Sequence, residues 1–286
     1  MLVLQSPQVI QEMALRWRRE AKIAFVPTMG CLHEGHLRLV ETAKKLGEKV
    51  IVSIFVNPLQ FGPNEDFDKY PRTFEEDSAK LEAAGVDLLM APTKKDFYAD
   101  DFATLVRVNK LTDHLCGASR PGHFEGVATV CLKLFQVAQP DFAVFGEKDF
   151  QQLRVIQQMV EDLNLPLAIV PEPIVREADG LALSSRNRYL STDERAWAAH
   201  LPIAARRAAE ASRRTAVTVG EIVAAAEKEI TSVPLQIDYV AVASEKTLIP
   251  APRELPFSEI RQPRLFLAVR AGNTRLIDNL SLQETP

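Results

Sequence analysis

The sequence predicts an α/β fold: a largely parallel sheet flanked by helices over residues 1–177, then a smaller α+β domain over 178–286. Three observations predict it. Short β-branched runs alternate with longer helical patterns through the first 175 residues, which is the grammar of βαβ units. The intervening helical stretches are long enough for right-handed crossovers. After Pro171 the pattern changes to an Asp-Gly turn, alanine-rich helices and strands separated by a proline-rich loop. A chain of 286 residues also has room for two cores.

In chain order, residues 22–26, 50–56, 86–90, 141–145 and 167–170 read as strands buried on both faces, because each is a short, nearly unbroken apolar run. Helices are predicted over 36–46, 74–84, 123–138 and 150–163, where apolar residues recur three and four apart, as at Val130, Leu134 and Val137. Beyond residue 178, Asp179-Gly180 turns the chain between two extended pieces and a helix starts near Thr192. Residues 193–214 and 219–230 are helical by alanine propensity, and 235–243, 264–270 and 274–279 are strands. The N-terminal part is Rossmann-like in its alternation.

Composition excludes several classes. Lys and Arg total 34 against 38 Asp and Glu, a net charge of -4, so no basic field is available for a nucleic-acid backbone. With 47% apolar and 25% charged residues the chain matches a packed globule rather than a disordered one. No stretch approaches a membrane-spanning run, and the first twenty residues carry Glu12 without an apolar leader, so a cytoplasmic protein without membrane attachment is expected. Cys31, Cys116 and Cys131 are odd in number and form no CxxC pair, which favours reduced thiols over a disulfide framework or structural zinc.

The sharpest local signal is Pro27-Thr28-Met29-Gly30-Cys31-Leu32-His33-Glu34-Gly35-His36, directly after the first predicted strand and opening a helix. At the carboxyl end of a parallel strand a glycine turn lets backbone approach a ligand, and the first N–H groups of the next helix favour phosphate. His33 and His36 are three apart, so around a helix start both imidazoles can face one side and donate to phosphate oxygens. Two alternatives stand beside this: the histidines cap the helix, or Cys31, His33 and His36 hold a metal. Against zinc, the two-His spacing of H-E-x-x-H is missing and no second thiol or carboxylate cluster stands nearby.

Further strings extend this signal: Phe55 through Gly62, Tyr70-Pro71-Arg72-Thr73, Arg120 through Val127, Phe145 through Gln152, and Asp179 through Leu190. With these blocks in order, the chain closely resembles the pantothenate synthetase family, within the H-x-G-H nucleotidyltransferases, along its whole length. The resemblance implies condensation of (R)-pantoate with β-alanine at the expense of ATP, through an enzyme-bound pantoyl adenylate, with release of AMP and pyrophosphate. It also implies Mg2+ and a homodimer.

Carried over by motif, the ATP-binding residues are Pro27, Thr28, Met29, Gly30, Cys31, Leu32, His33, Glu34, Gly35 and His36, then Gly146, Glu147, Lys148 and Asp149, then Val175, Leu183, Ser184, Ser185 and Arg186. His36, His33 and Lys148 are the catalytic candidates. A carboxylate attacking the α-phosphorus needs donors and cations that neutralise charge rather than a protein nucleophile. Asp149 either contacts ribose or metal, or caps the next helix with Gln152. Gln60 and Gln152 match the family's pantoate pair, and Asn57 and Arg120 complete the expected substrate-binding set. Amides suit a carboxylate-and-hydroxyl substrate without competing with its charge. Leu183 departs from the family's usual methionine, a near-isosteric change. Tyr70, Glu76 and Asp77 match a stretch that lies near metal and phosphates in the family, although a solvated helix face explains the two acids as well. The protein ligands of Mg2+ stay open. The 60–75 loop and the second domain are expected to close over the acyl adenylate and exclude water.

Overall fold

The computed structural model describes residues 1–63, 65 and 67–283; Asn64 and Asp66 of the 60–75 loop lie outside them. The chain divides into two compact units. One comprises Met1–Asn109, Arg120–Glu147 and Val155–Pro173; the other comprises Lys110–Ser119, Lys148–Arg154 and Ile174–Pro286.

The elements of the first half are β1 (Leu2–Leu4), α1 (Pro7–Trp17), β2 (Ile23–Thr28), α2 (Glu34–Leu46), β3 (Lys49–Ile54), α3 (Phe74–Ala83), β4 (Leu88–Met90) and α4 (Lys94–Phe97). They continue with α5 (Cys116–Ser119), α6 (His123–Ala138), β5 (Phe142–Gly146), α7 (Phe150–Asp162) and β6 (Ala168–Glu172). Six parallel strands form one sheet in the order β1-β4-β3-β2-β5-β6. The α/β class and the parallel sheet are as the sequence predicts. An edge strand is added: β1 spans three residues paired with β4, too short for any periodicity to reveal.

Alternation along β2 sorts its side chains. Ala24 and Val26 pack with Leu39, Val40 and Ala43 of α2, while Phe25 is fully buried and meets Phe135 of α6 edge-on at 6.2 Å. Chain order along the sheet runs from β2 through β3 to β4 on one side, then jumps back to place β5 on the other. The crevice beyond the carboxyl ends of β2 and β5 is therefore the switch point where such sheets bind ligands.

The second unit contains α8 (Thr192–Ala198), α9 (His200–Ser212), α10 (Val219–Ile230) and an antiparallel sheet β7-β8-β9, formed by Leu235–Ser244, Pro263–Ala271 and Thr274–Ser281. The single helix expected over 193–214 is two helices. Pro202 lacks an N–H and is tolerated only in a first helical turn, so a new helix starts at His200. Propensity also does not account for the alanines by itself: Ala204, Ala208, Ala211 and Ala226 are fully buried among Ile222, Leu265 and Leu267. Their small side chains bring helix and sheet backbones close. Among the described residues no helix is long and apolar enough to cross a membrane.

Candidate active site

The turn after β2 is built from its own polar residues. The Thr28 hydroxyl donates to the Ser53 carbonyl at 2.6 Å on β3 and accepts from the Gly30 N–H at 3.1 Å. Gly30 and Cys31 then reverse the chain with φ of +82° and +53°. A Cβ on Gly30 would stand 3.1 Å from both Asp77 Oδ2 and Ile54 Cγ2, so glycine answers both the dihedral and the crowding.

The buried Asp77 carboxylate fills the concave side of this turn. It accepts from the Cys31 and Leu32 N–H groups, each at 2.7 Å, and from the Thr73 hydroxyl at 3.0 Å. Sequence reasoning treats the turn's backbone amides as phosphate ligands and Asp77 as metal-proximal or solvated; in the structure the protein's own carboxylate occupies two of those amides. The side chains of Cys31 and Leu32 point into the core, each 1% exposed, and the Leu32 carbonyl accepts from Lys80 Nζ at 2.8 Å. These two residues shape the turn and present no N–H or side chain to a ligand. Glu76 is half-exposed and pairs with Lys80 at 2.7 Å.

Helix α2 starts at Glu34 with His33 as its N-cap. The His33 N–H donates to His36 Nδ1 at 3.3 Å, and the two rings lie 4.1 Å apart, tilted by 35°. The capping alternative is thus what the structure shows for this pair. A ring that accepts at Nδ1 carries the proton of its neutral form at Nε2, which is then the donor atom of the ring. Capping thus sets which nitrogen of the neutral His36 ring can donate.

A second network surrounds Gln60. Asn57 caps the short helical turn at Pro58–Gln60. Its Oδ1 accepts from the Leu59 N–H at 3.3 Å and the Tyr98 hydroxyl at 2.9 Å; its Nδ2 donates to Gln60 Oε1 and to the Gly126 carbonyl, both at 3.1 Å. These four bonds use the full capacity of the Asn57 amide, which makes it an internal brace. Gln60 Oε1 accepts from Asn57, so its Nε2 points away from that amide and donates to Met29 Sδ at 3.2 Å, beside the histidine turn. Gly126 is required for this contact, because a Cβ there would lie 2.2 Å from the Leu59 carbonyl oxygen. Burial pushes the Tyr98 hydroxyl well above its ordinary value, with the buried Cys131 thiol adding to the effect, so it stays a donor. Burial likewise pushes the Cys131 thiol up to about 12. All three cysteines are free and buried.

Arg120 braces the same turn. It grips Glu65 through two bonds of 2.6 Å, donates to the Gln60 carbonyl at 3.3 Å, and meets His123 Nε2 at 2.9 Å. The His123 ring places Nδ1 2.8 Å from the Gln60 carbonyl, so Nδ1 carries the proton and Nε2 accepts from Arg120. Burial would raise the Glu65 carboxyl, but the Arg120 hydrogen bonds and charge outweigh it, with the Gly62 backbone assisting, and hold it below the usual carboxylate range. Nothing in the sequence singled out Glu65 or Tyr98. Their partners lie 55 and 41 residues away, and no local pattern signals such pairing.

In the second unit, Lys148 and Asp149 close a short helical turn at Glu147–Asp149, directly after Gly146 ends β5, with 3.9 Å between ammonium and carboxylate. Gln152 lies half-buried on α7. The neighbouring Gln151 is buried instead and braces the 111–116 segment through the Cys116 N–H and the Leu111 and His114 carbonyls. Val175 and Leu183 face each other across the Asp179-Gly180 turn, the Leu183 N–H donating to the Val175 carbonyl at 2.9 Å. Arg176 in that hairpin forms a two-bond ion pair, at 2.7 and 2.9 Å, with the buried Asp278 of β9. Ser184 caps the turn Ser185–Tyr189 by accepting from the Arg186 N–H at 3.3 Å.

Among the described residues no three His, Cys, Asp or Glu side chains gather to hold a metal, and both Asp77 oxygens already accept backbone N–H groups.

Comparison with known proteins identifies the family. A model of the family described as pantoate-beta-alanine ligase matches residues 2–281. The pantothenate synthetase of Caldicellulosiruptor bescii is 49% identical over 99% of both chains, and that of Pseudomonas entomophila is 50% identical over 99% of this chain and 98% of its own. The crystal structure of pantothenate synthetase from Thermus thermophilus superposes with a TM-score of 0.91 at 45% identity, covering 99% of each chain. That of the Francisella tularensis pantoate-beta-alanine ligase, complexed with beta-gamma ATP and beta-alanine, gives 0.81 at 34% identity, covering 100% of this chain and 99% of its own. The chain belongs to the pantoate–β-alanine ligase family.

Proposed function

We propose that the chain joins pantoate to β-alanine in two steps and that its polar turns divide the work. In the first step a pantoate carboxylate oxygen bonds to the α-phosphorus of ATP as the bond to pyrophosphate breaks. In the second the β-alanine amine attacks the pantoyl carbonyl, AMP leaves with the bonding electron pair, and the amine proton passes to solvent or to phosphate. The observation that carries this reading is the histidine turn at the switch point of the sheet, whose His33–His36 contact assigns the proton of neutral His36 to Nε2.

His36 and His33 stabilise charge on the phosphates, and Lys148 offers them a compact cation. An imidazole donates in either protonation state, so departure of pyrophosphate does not require a full proton from His36. Gln60 presents its amide N–H groups to the pantoate carboxylate, with Gln152 as the second amide. Asn57 and Arg120 act behind Gln60, since their hydrogen bonds are spent on the turn that carries it. Thr28 and Gly30 form the turn, Val175 and Leu183 offer backbone to the adenine, and Ser184, Ser185 and Arg186 reach phosphate or ribose.

Mg2+ would enter with ATP and would supply neutralisation of phosphate charge, since among the described residues no three His, Cys, Asp or Glu side chains gather to hold it. By resemblance the protein is a cytoplasmic homodimer. Incubation with ATP, pantoate, β-alanine and Mg2+ should give AMP, pyrophosphate and pantothenate in equal amounts. Formation of ADP, or AMP release that ignores the amine, would defeat the proposal.

A further inference from the structure

Strand β9 carries two adjacent polar residues, Asp278 and Asn279, each only 2% exposed. Neighbours on a strand point to opposite faces, so the pair serves two different partners. Asp278 takes Arg176. Asn279 reaches the segment that carries Lys148: its Nδ2 donates to the Lys148 carbonyl at 3.0 Å.

The polarity of that contact is imposed. Arg264 on β8 can only donate, and its NH1 lies 2.5 Å from Asn279 Oδ1, so the amide must turn its NH2 toward Lys148. Arg264 is 7% exposed and is itself fixed by Glu245 Oε1 at 2.9 Å. Its guanidinium also stacks 3.8 Å from the ring centroid of Phe150, the first residue of α7. The three residues from Lys148 to Phe150 are thus gripped twice, by the backbone at one end and by a ring at the other. A buried Arg–Asn–carbonyl relay has a large desolvation cost, and packing alone would be served better by apolar side chains. What the relay adds is a fixed starting point for the lysine side chain.

We propose that Asn279, oriented by Arg264, is a positioning residue for Lys148 in formation of the acyl adenylate. This rests on the reading of Lys148 as a phosphate-binding cation. Removing the clamp leaves the ammonium on the chain but loosens its root, so the cost falls on the step that uses it.

The test compares N279A, N279D, K148A and the N279A/K148A double variant, with thermal melts as controls. N279D keeps the size of the side chain and the bond from Arg264 but replaces the donor to Lys148 with an acceptor. Pantoate-dependent exchange of labelled pyrophosphate into ATP should fall about tenfold or more in both single Asn279 variants, the scale of one buried hydrogen bond. The reaction of pre-formed pantoyl adenylate with β-alanine should change less than about twofold, a selectivity that general loosening of the fold would not produce. In the K148A background the second substitution should add nothing, because the residue it positions is gone. Exchange unchanged in N279A and N279D while K148A is impaired overturns the positioning role, as do losses that multiply in the double variant. Unimpaired K148A overturns the phosphate role of Lys148 itself, and the clamp with it.

Discussion

The Asp77 carboxylate holds the Leu32 N–H at 2.7 Å from an element that begins some forty residues later in the chain. A helix N-terminus and the turn before it attract anions, and here the fold supplies one from within. That arrangement rigidifies the histidine turn and withdraws the Cys31 and Leu32 N–H groups from any outside partner.

Asp77→Ala should accordingly be costly. Two charge-assisted bonds to buried backbone donors disappear, and about 3 kcal/mol of stability is expected to go with them. Urea unfolding measures the stability, and the KM for ATP should rise in parallel. Wild-type stability in Asp77→Ala would show that the turn does not depend on this carboxylate.

His36→Ala removes the Nε2 donor at the switch point together with the acceptor that holds the His33 N–H. Loss of one pre-organised donor to a developing charge typically costs on the order of a hundredfold or more in rate. Exchange between pyrophosphate and ATP should fall by that factor, whereas the melting temperature should move little for a half-exposed residue. An unaltered exchange rate is the outcome that counts against the assignment.

Tyr98→Phe deletes a single hydroxyl 2.9 Å from Asn57 and leaves the ring in place beside the Lys133 ammonium, 5.4 Å from its centroid. Asn57 can then rotate its amide, and the Gln60 amide loses its fixed polarity. A rise of about fivefold in the KM for pantoate is expected, the worth of roughly 1 kcal/mol, with kcat and the KM for ATP nearly unchanged. Equal effects on all three parameters would point to general damage instead.

The Glu65–Arg120 pair has a pH signature. The folded-state pKa of Glu65 lies below its unfolded value, so its stabilisation is complete above that value, about 4.3, and disappears as pH falls through the folded pKa. Melts of wild type and Glu65→Gln should therefore differ at pH 7 and begin to draw together only as pH falls below about 4.3. A gap that persists in acid would mean that the carboxylate charge is not its source.

Gly126→Ala should disturb the substrate side without touching a ligand. The new methyl would collide with the Leu59 carbonyl backbone, so the 58–60 turn must move or α6 must shift. Pantoate affinity should weaken together with stability, by about 1–3 kcal/mol for overpacking. Retention of both would mean that the backbone yields freely there.

Periodicity and turn chemistry were enough to read the α/β class, the parallel strands from β2 to β6 and the three C-terminal strands, because burial on a face writes itself into the spacing of apolar residues. Motif strings were enough to nominate His33, His36, Lys148 and Gln60. Pro202 could have warned of the helix break at Ala199, since its effect is local. What only the tertiary structure decided is the fate of polar groups: that Asp77 faces inward onto the turn, that Asn57 is spent on its neighbours, that Glu65 claims Arg120, and that Asn279 reaches Lys148 from 131 residues away. A hydrogen bond depends on where a donor and an acceptor end up within about 3 Å. One-dimensional spacing encodes which face a residue occupies, but not which distant partner the folded chain will set against it.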